Sequence, residues 1–197
     1  IIIKNTLMLI ISQNASNYEI PLPKEAVYRI NLAWVNSIEE LEKLLEKHQN
    51  QQIFLDLPKG RVKPPNNRYN LEDLFSILNT NKNIKYFAVS NVNSSEDLNI
   101  YIKVIPNEIN IVPKIESPTA VLNIKNIVDA IPGDKKTIML DHDDLYSNLI
   151  KNEESSSKFT EYITTLKEFC DKNDVILLRT IGVIFSDEEK RTTQYVK

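Results

Sequence analysis

The sequence predicts an α/β fold with parallel strands. Short apolar segments alternate with amphipathic helical segments through most of the 197 residues, and several helical segments begin with a recognisable N-terminal cap. Polar and charged residues gather where the apolar segments end, as expected when the carboxyl ends of parallel strands meet at one edge. Seven strands are predicted, at residues 7–11, 27–32, 53–57, 86–90, 109–116, 137–140 and 175–178.

The helix starts support this alternation. A Ser or Asn followed three residues later by an acid is the pattern of a capping box, and it occurs at Ser37, Asn70, Ser94 and Ser186. Ser117 followed by Pro118 opens a further helix, whose apolar stripe runs from Val121 to Ile131. The most linker-like stretch covers residues 152–158.

The architecture predicted from this alternation is a short or incomplete (β/α)₈ barrel of the TIM type, formed as one domain over residues 1–197. A complete barrel needs roughly 250 residues, and the polar stretch 190–197 supplies no eighth strand. We expect the sequence to continue, a partner such as a second copy to cover the open edge, or the apolar run Ile1–Ile3 to pair there. A flat doubly wound sheet is the alternative.

Composition narrows the class of protein. A net charge of −3 predicts no nucleic-acid partner, and no apolar stretch approaches the roughly 20 residues of a membrane span. The single cysteine, Cys170, rules out a disulfide framework and favours a reducing, cytoplasmic location. Only three glycines are present, which excludes the glycine-rich loops that hold nucleotide phosphates.

Charged residues at the ends of the fifth and sixth strands predict a metal site. Lys114 and Glu116 are two residues apart and therefore share one strand face. After the sixth strand, the segment Asp141–Asp144 places three carboxylates in one predicted loop, where a hard cation such as Mg²⁺ or Mn²⁺ would offset their repulsion. A structural ion pair and a solvated acidic turn are the alternatives. His142 is a candidate base or ligand, although an isolated loop histidine is more often exposed.

The second, third and seventh strands end in further candidates. Arg29 and Asn31 share one face, and an arginine at a strand end suits recognition of a carboxylate or phosphate. Asp56 ends the third strand. Thr180 follows the seventh, where its hydroxyl could pass a proton.

The segments at the strand ends, taken in their order along the chain, resemble those of pyruvate kinase. Lys114-Ile115-Glu116 is similar to that family's Lys-Ile-Glu-Asn motif, Asp143-Asp144-Leu145 to its Gly-Asp-Leu, and Arg179-Thr180 to its Ala-Thr. Weaker similarities cover Arg29–Trp34, Asp56–Lys63 and Ala88–Leu98. The resemblance extends over residues 27–180.

The resemblance implies an Mg²⁺- or Mn²⁺-dependent enzyme acting on phosphoenolpyruvate, pyruvate or a related 2-oxo acid. Glu116 and Asp144 would bind the metal, and Asp143 and His142 would lie beside the substrate. Lys114, Arg29 and Thr180 would be catalytic: the first stabilises developing negative charge, the second contacts the phosphoryl group and the third belongs to a proton relay. Two positions of the family's potassium site correspond to Asn31 and Asp56.

Departures from the pyruvate kinase motifs keep two other functions open. Ala33, Trp34 and Asp143 replace a serine, a histidine and a glycine of the family, and residues 64–68 stand where its lid domain would be inserted. Metal-dependent aldolases and lyases similar to the citrate lyase β-subunit also place a Glu and an Asp at such strand ends, and they need no lid. The third interpretation is a non-catalytic binding barrel.

Overall fold

The structure, a computed structural model, describes residues 8–13, 23–59 and 69–179. These residues contain seven strands, whose sheet order follows the chain, and every pairing assigned between neighbouring strands is parallel. The predicted class is confirmed: the fold is an incomplete α/β barrel. The strands are β1 Ile10–Ser12, β2 Val27–Asn31, β3 Gln52–Leu57, β4 Ile84–Val89, β5 Asn110–Ile115, β6 Thr137–Leu140 and β7 Ile176–Arg179.

Helical segments separate the strands from β2 onward. The α-helices of the described residues are α1 Ile38–Lys47, α2 Phe75–Thr80, α3 Asn99–Val104, α4 Pro118–Leu122, α5 Ile124–Ala130, α6 His142–Lys151 and α7 Lys158–Asn173. Short 3₁₀ segments at Leu32–Trp34, Glu72–Leu74 and Ser95–Leu98 complete the set. None of the helices in the described part of the chain is long and apolar enough to cross a membrane.

The chain divides into two compact units. The first contains the described residues up to Val89 together with Lys103–Ile111, and the second contains Ser90–Ile102 and the described residues from Val112 to Arg179. In the first unit, Tyr28, Phe54 and Phe87 are fully buried around β2, β3 and β4. In the second unit the buried side chains come from the last strands and from the helices beside them, among them Leu98, Ile115, Ile127, Leu140 and Leu149.

Most of the predicted helix caps are confirmed. Oγ of Ser37 accepts from the Glu40 amide at 3.2 Å, and Ser94 forms a complete capping box with Asp97. Asn70 and Asp73 exchange two hydrogen bonds of 2.8 and 3.0 Å. Ser117 caps α4 as expected. The cap at Ser186 lies outside the described residues, as do Ile1–Ile3, Thr180 and the stretch 61–68.

Two local predictions were wrong. The stripe from Val121 to Ile131 does not form one helix, because Asn123 ends α4 before α5 begins. The acidic run after β6 is not a loop. Asp141 is the N-cap of α6, and its Oδ1 accepts from the Asp144 amide at 3.3 Å. Aspartate is a favourable N-cap, and acids in the first turn complement the helix dipole.

The two unusual side chains of this region are buried. His142, expected to be exposed in a loop, is only 4% exposed at the start of α6. Cys170 on α7 is also buried, and burial raises the pKa of its thiol to about 12. The thiolate, which is the reactive form, is therefore scarce, in agreement with a packing role.

Candidate metal centre

The end of β5 carries a buried ion pair. The Lys114 ammonium lies 2.6 Å from Oε1 of Glu116, and the two side chains are 7% and 4% exposed. Alternation along the strand sends both side chains to the same face, as the sequence predicted. A buried pair of this kind is costly to desolvate, so its carboxyl and ammonium groups need further hydrogen-bond partners.

Pairing between β5 and β6 brings Asp141 to the same place. Ile115 is in register with Leu140, so the residues that follow them, Glu116 and Asp141, leave their strands side by side. The Asp141 amide donates to the Ile115 carbonyl at 3.2 Å, which continues the ladder by one bond. Oδ2 of Asp141 lies 3.5 Å from the Lys114 ammonium. One lysine therefore bridges acids from two strands.

A third carboxylate joins this pair from the first turn of α6. Glu116, Asp141 and Asp144 each offer an oxygen that lies within 4.8 Å of those of the other two. Asp144 reaches the cluster because residues three apart on a helix share a face. The expectation that Glu116 and Asp144 come together therefore agrees with the geometry. Asp143, predicted to lie beside the substrate, is not part of this oxygen cluster.

Asp141 was not among the ligands predicted from the sequence. The signal was present, since Asp141 is the first residue after a fully buried strand and Asp144 follows it at helical spacing. An N-cap needs one carboxylate oxygen for the helix, which leaves the other oxygen for a second partner. In Asp141 that second oxygen is the one beside Lys114.

The loop after β4 and helix α6 supply further partners of the ion pair. The Asn91 amide donates to Oε2 of Glu116 at 2.6 Å, and the Lys114 ammonium donates to Oγ of Ser90 at 3.3 Å. The Asn148 side chain donates to the Glu116 carbonyl at 2.8 Å. Glu116 is thus held at both carboxylate oxygens and at its backbone.

Burial shapes the electrostatics of these groups. It raises the pKa of Glu116, and the nearby Lys114 ammonium opposes that shift. Burial and then the charge of Asp141 raise the pKa of Asp143. Because the cluster holds three carboxylates and the ammonium pairs with two of them, the four groups together carry a net negative charge when ionised.

The donor set suits a hard divalent cation. Mg²⁺ and Mn²⁺ prefer carboxylate oxygens, and Mg²⁺ bonds of about 2.0–2.1 Å place two ligand oxygens at most about 4.2 Å apart. The oxygens of Glu116, Asp141 and Asp144 lie within 4.8 Å of one another, so small side-chain rotations would bring them onto one ion. A divalent cation would also offset the excess negative charge. The residues present therefore fit the metal that the resemblance implied.

In the first unit, the predicted anion and potassium residues contact one another. Arg29 donates to Oδ2 of Asp56 through Nε at 3.1 Å and through Nη2, and the Asp56 side chain is 1% exposed. Oδ1 of Asn31 accepts from the Ala33 amide at 3.0 Å. The guanidinium predicted to bind a phosphoryl group is thus engaged by a protein carboxylate, and no described contact assigns a potassium ion to Asn31 and Asp56.

His142 contacts the end of β7. Arg179 lies with Nη2 3.2 Å from Nε2 of His142, and the imidazole packs edge-on against Phe159. Burial, and then the Arg179 charge, lower the pKa of His142. Arg179 is in register with Leu140, whereas Lys114 pairs with Met139, so Arg179 and Lys114 project from opposite faces of the strands. Roles for His142 and Asp143 at a substrate stay predictions.

No protein-family model and no curated protein matches the sequence of this chain. Three solved structures are similar to the fold. RipC from Yersinia pestis shares 15% identity over 95% of this chain and 80% of its own, with a TM-score of 0.58. The HpcH/HpaI aldolase from Desulfitobacterium hafniense DCB-2 shares 15% identity over 84% of this chain and 72% of its own, with a TM-score of 0.58.

The citrate synthase SbnG shares 14% identity over 85% of this chain and 72% of its own, with a TM-score of 0.56. At such low identities these likenesses concern the fold alone. They agree with the strand order in assigning the chain to the TIM-barrel-like class. None of the three is a pyruvate kinase, so the resemblance to that particular family is not confirmed.

Proposed function

We propose that the protein is a divalent-metal-dependent aldolase or lyase that acts on a 2-oxo acid or a hydroxy acid. The observation that carries the proposal is the cluster of Glu116, Asp141 and Asp144 at the carboxyl ends of β5 and β6. Reactive groups of parallel α/β folds gather at this edge. Two of the structures with a similar fold are an aldolase and a citrate synthase, enzymes that make or break carbon–carbon bonds.

The chemistry follows from the charges at the site. A bound Mg²⁺ or Mn²⁺ would polarise the carboxylate and keto oxygens of the substrate as a Lewis acid. Glu116, Asp141 and Asp144 would hold that ion. Lys114, fixed between Glu116 and Ser90, brings a positive charge to the same edge, where it would stabilise the enolate that forms when the carbon–carbon bond breaks.

An aldolase or lyase is favoured over the kinase that the sequence motifs suggested. Cleaving a carbon–carbon bond of a 2-oxo acid requires a metal ion and a positive charge that together stabilise the enolate. The acid cluster and Lys114 can provide both at one edge of the sheet. Transferring a phosphoryl group also requires groups that position the phosphates. Arg29, the residue expected to contact the phosphoryl group, pairs with Asp56 instead.

The first test is metal binding. Mn²⁺ titrated into the protein should bind, and binding should tighten with oxalate, which mimics the enolate of pyruvate. Glu116→Gln and Asp144→Asn should each weaken Mn²⁺ binding by at least about tenfold. Asp129→Asn, which removes an exposed acid that pairs with Lys125 on α5, serves as the matched control and should have no effect. Absence of Mn²⁺ binding would favour the non-catalytic barrel.

The second test distinguishes carbon–carbon bond cleavage from phosphoryl transfer. Purified protein with Mn²⁺ should release pyruvate from 4-hydroxy-2-oxo acids, and Lys114→Met should abolish that release. The same preparation should form no ATP from phosphoenolpyruvate and ADP. ATP formation that depends on Lys114 would instead establish the kinase.

A further inference from the structure

The two residues that follow β4 contact both charged groups of the buried ion pair. Ser90 accepts a hydrogen bond from the Lys114 ammonium, and the backbone amide of Asn91 donates to Oε2 of Glu116 at 2.6 Å. Neither residue is one of the three acids that offer oxygens to a cation. Their contacts are nevertheless with the residues that define the site.

Asn91 makes its contact from an unusual backbone conformation. Its φ is +56°, in the left-handed region that most residues avoid and that asparagine tolerates better than most. A residue held there shows that the surrounding structure fixes the local backbone direction. Here that direction aims the peptide N–H at the carboxylate of Glu116.

Further along, the same loop is anchored by a second set of hydrogen bonds. The Ser117 hydroxyl donates to Oδ1 of Asn93, and the Asn123 side chain donates to the Asn93 carbonyl at 2.9 Å. The Asn93 amide donates to Oδ2 of Asp97 at 2.8 Å. The loop is therefore tied to the start of α4, to the junction of α4 with α5 and to the 3₁₀ segment that follows it.

We infer that Asn91 is a positioning residue whose left-handed backbone orients Glu116 for metal binding. The amide engages Oε2 while the Lys114 ammonium engages Oε1, so the two contacts hold the carboxylate in the one orientation that brings it beside the other acids of the cluster. A carboxylate free to rotate would spend part of its time turned away and would bind more weakly. The inference rests on the proposed function, because it assigns Asn91 a task at the same metal site.

The test compares substitutions that differ in backbone preference. Asn91→Gly keeps the amide and accepts the left-handed conformation, so its Mn²⁺ affinity should stay within about twofold of the wild type. Asn91→Val is β-branched and disfavours that conformation, so its Mn²⁺ affinity should fall by about 10–100-fold, the range seen when a partner of a metal ligand is lost.

A matched control distinguishes the effect of the contact with Glu116 from the general effect of a strained backbone. Asp174 has a φ of +53° as the C-cap of α7, ahead of β7 and so at the amino ends of the strands. Asp174→Val should lower the melting temperature much as Asn91→Val does, and it should leave the Mn²⁺ dissociation constant unchanged. Equal weakening of Mn²⁺ binding by both variants would overturn the inference.

An independent readout needs no metal. The Asn91 amide should exchange slowly with solvent in the wild type, and Glu116→Ala should speed its exchange by at least about tenfold relative to amides elsewhere in the same loop. If the wild type binds no Mn²⁺ while the Asn91 amide is protected, the proposed function fails at the metal, and with it the role of Asn91 there. If Mn²⁺ binds while the amide exchanges freely, the positioning role alone is wrong.

Discussion

The ammonium of Lys114 lies 2.6 Å from Oε1 of Glu116 and 3.5 Å from Oδ2 of Asp141, in a place that a metal ion would also favour. The lysine is thus a built-in counter-charge for the acids. It holds the carboxylates together when no metal is bound, and its charge opposes the entry of a cation.

Lys114→Met tests this double effect. Loss of the ammonium leaves a buried carboxylate without its counter-charge, so the free energy of unfolding without metal should fall by about 3 kcal/mol. Mn²⁺ should then bind about tenfold more tightly, or better, because its positive competitor is gone. Urea denaturation and Mn²⁺ titration measure the two effects. Lys125→Met, which breaks an exposed pair with Asp129, is the control and should change neither. Unchanged metal affinity in Lys114→Met would contradict the competition.

The two roles of Asp141, as the N-cap of α6 and as a candidate metal ligand, can be tested separately. Asparagine caps a helix about as well as aspartate, so Asp141→Asn should leave stability nearly unchanged while Mn²⁺ affinity falls at least about tenfold. Asp141→Ala should lose that affinity and about 1 kcal/mol of stability as well. Thermal unfolding and Mn²⁺ titration of both variants give the comparison. Retained affinity in Asp141→Asn would exclude Asp141 as a ligand.

Arg29 and Asp56 are expected to stabilise the first unit as a pair. Arg29→Met leaves the buried Asp56 carboxylate without this partner and should cost about 2 kcal/mol, a value reduced for the partial exposure of Arg29. The double variant Arg29→Met/Asp56→Leu should recover much of that loss, since replacing both charges by apolar groups removes the desolvation penalty. A double-mutant cycle from urea midpoints measures the coupling. Purely additive losses would show that the pair contributes nothing.

His48 should make the protein less stable in mild acid. Burial lowers the pKa of this imidazole, whose ring stacks on Tyr28 with centroids 3.7 Å apart. The unfolded chain takes up a proton near pH 6.5 while the folded chain takes it up only at lower pH. The stabilising contribution is therefore present above pH 6.5 and is lost as the pH falls through the folded pKa. Urea midpoints at pH 7.5 and 5.0 should differ less in His48→Phe than in the wild type, and an equal difference would refute the assignment.

Much of the fold was predictable because its signals are local. Apolar runs and capping residues depend on neighbours within a few positions, and the limits of the six strands from β2 to β7 agree with the structure to within two residues. The break at Asn123 was not predictable in this way. That side chain donates to the carbonyl of Asn93, 30 residues earlier, and no helical periodicity records such a contact.

The candidate site was predictable in part for the same reason. Lys114 and Glu116 follow from strand alternation, and Asp144 follows from its place after β6. Asn91 contributes through its backbone amide and its φ, which the side-chain pattern does not reveal. The pairing of Arg29 was not predicted, because its partner Asp56 lies 27 residues away, in a neighbouring strand.

The burial of Cys170 also has a practical consequence. The thiol is the only one in the chain, and it lies on α7 with little solvent access. A thiol reagent can therefore modify the protein only when this part of the second unit opens, and the labelling rate measures that opening without an introduced probe. Each modified molecule carries a single label, so mass spectrometry would give the labelled fraction of the unaltered chain directly.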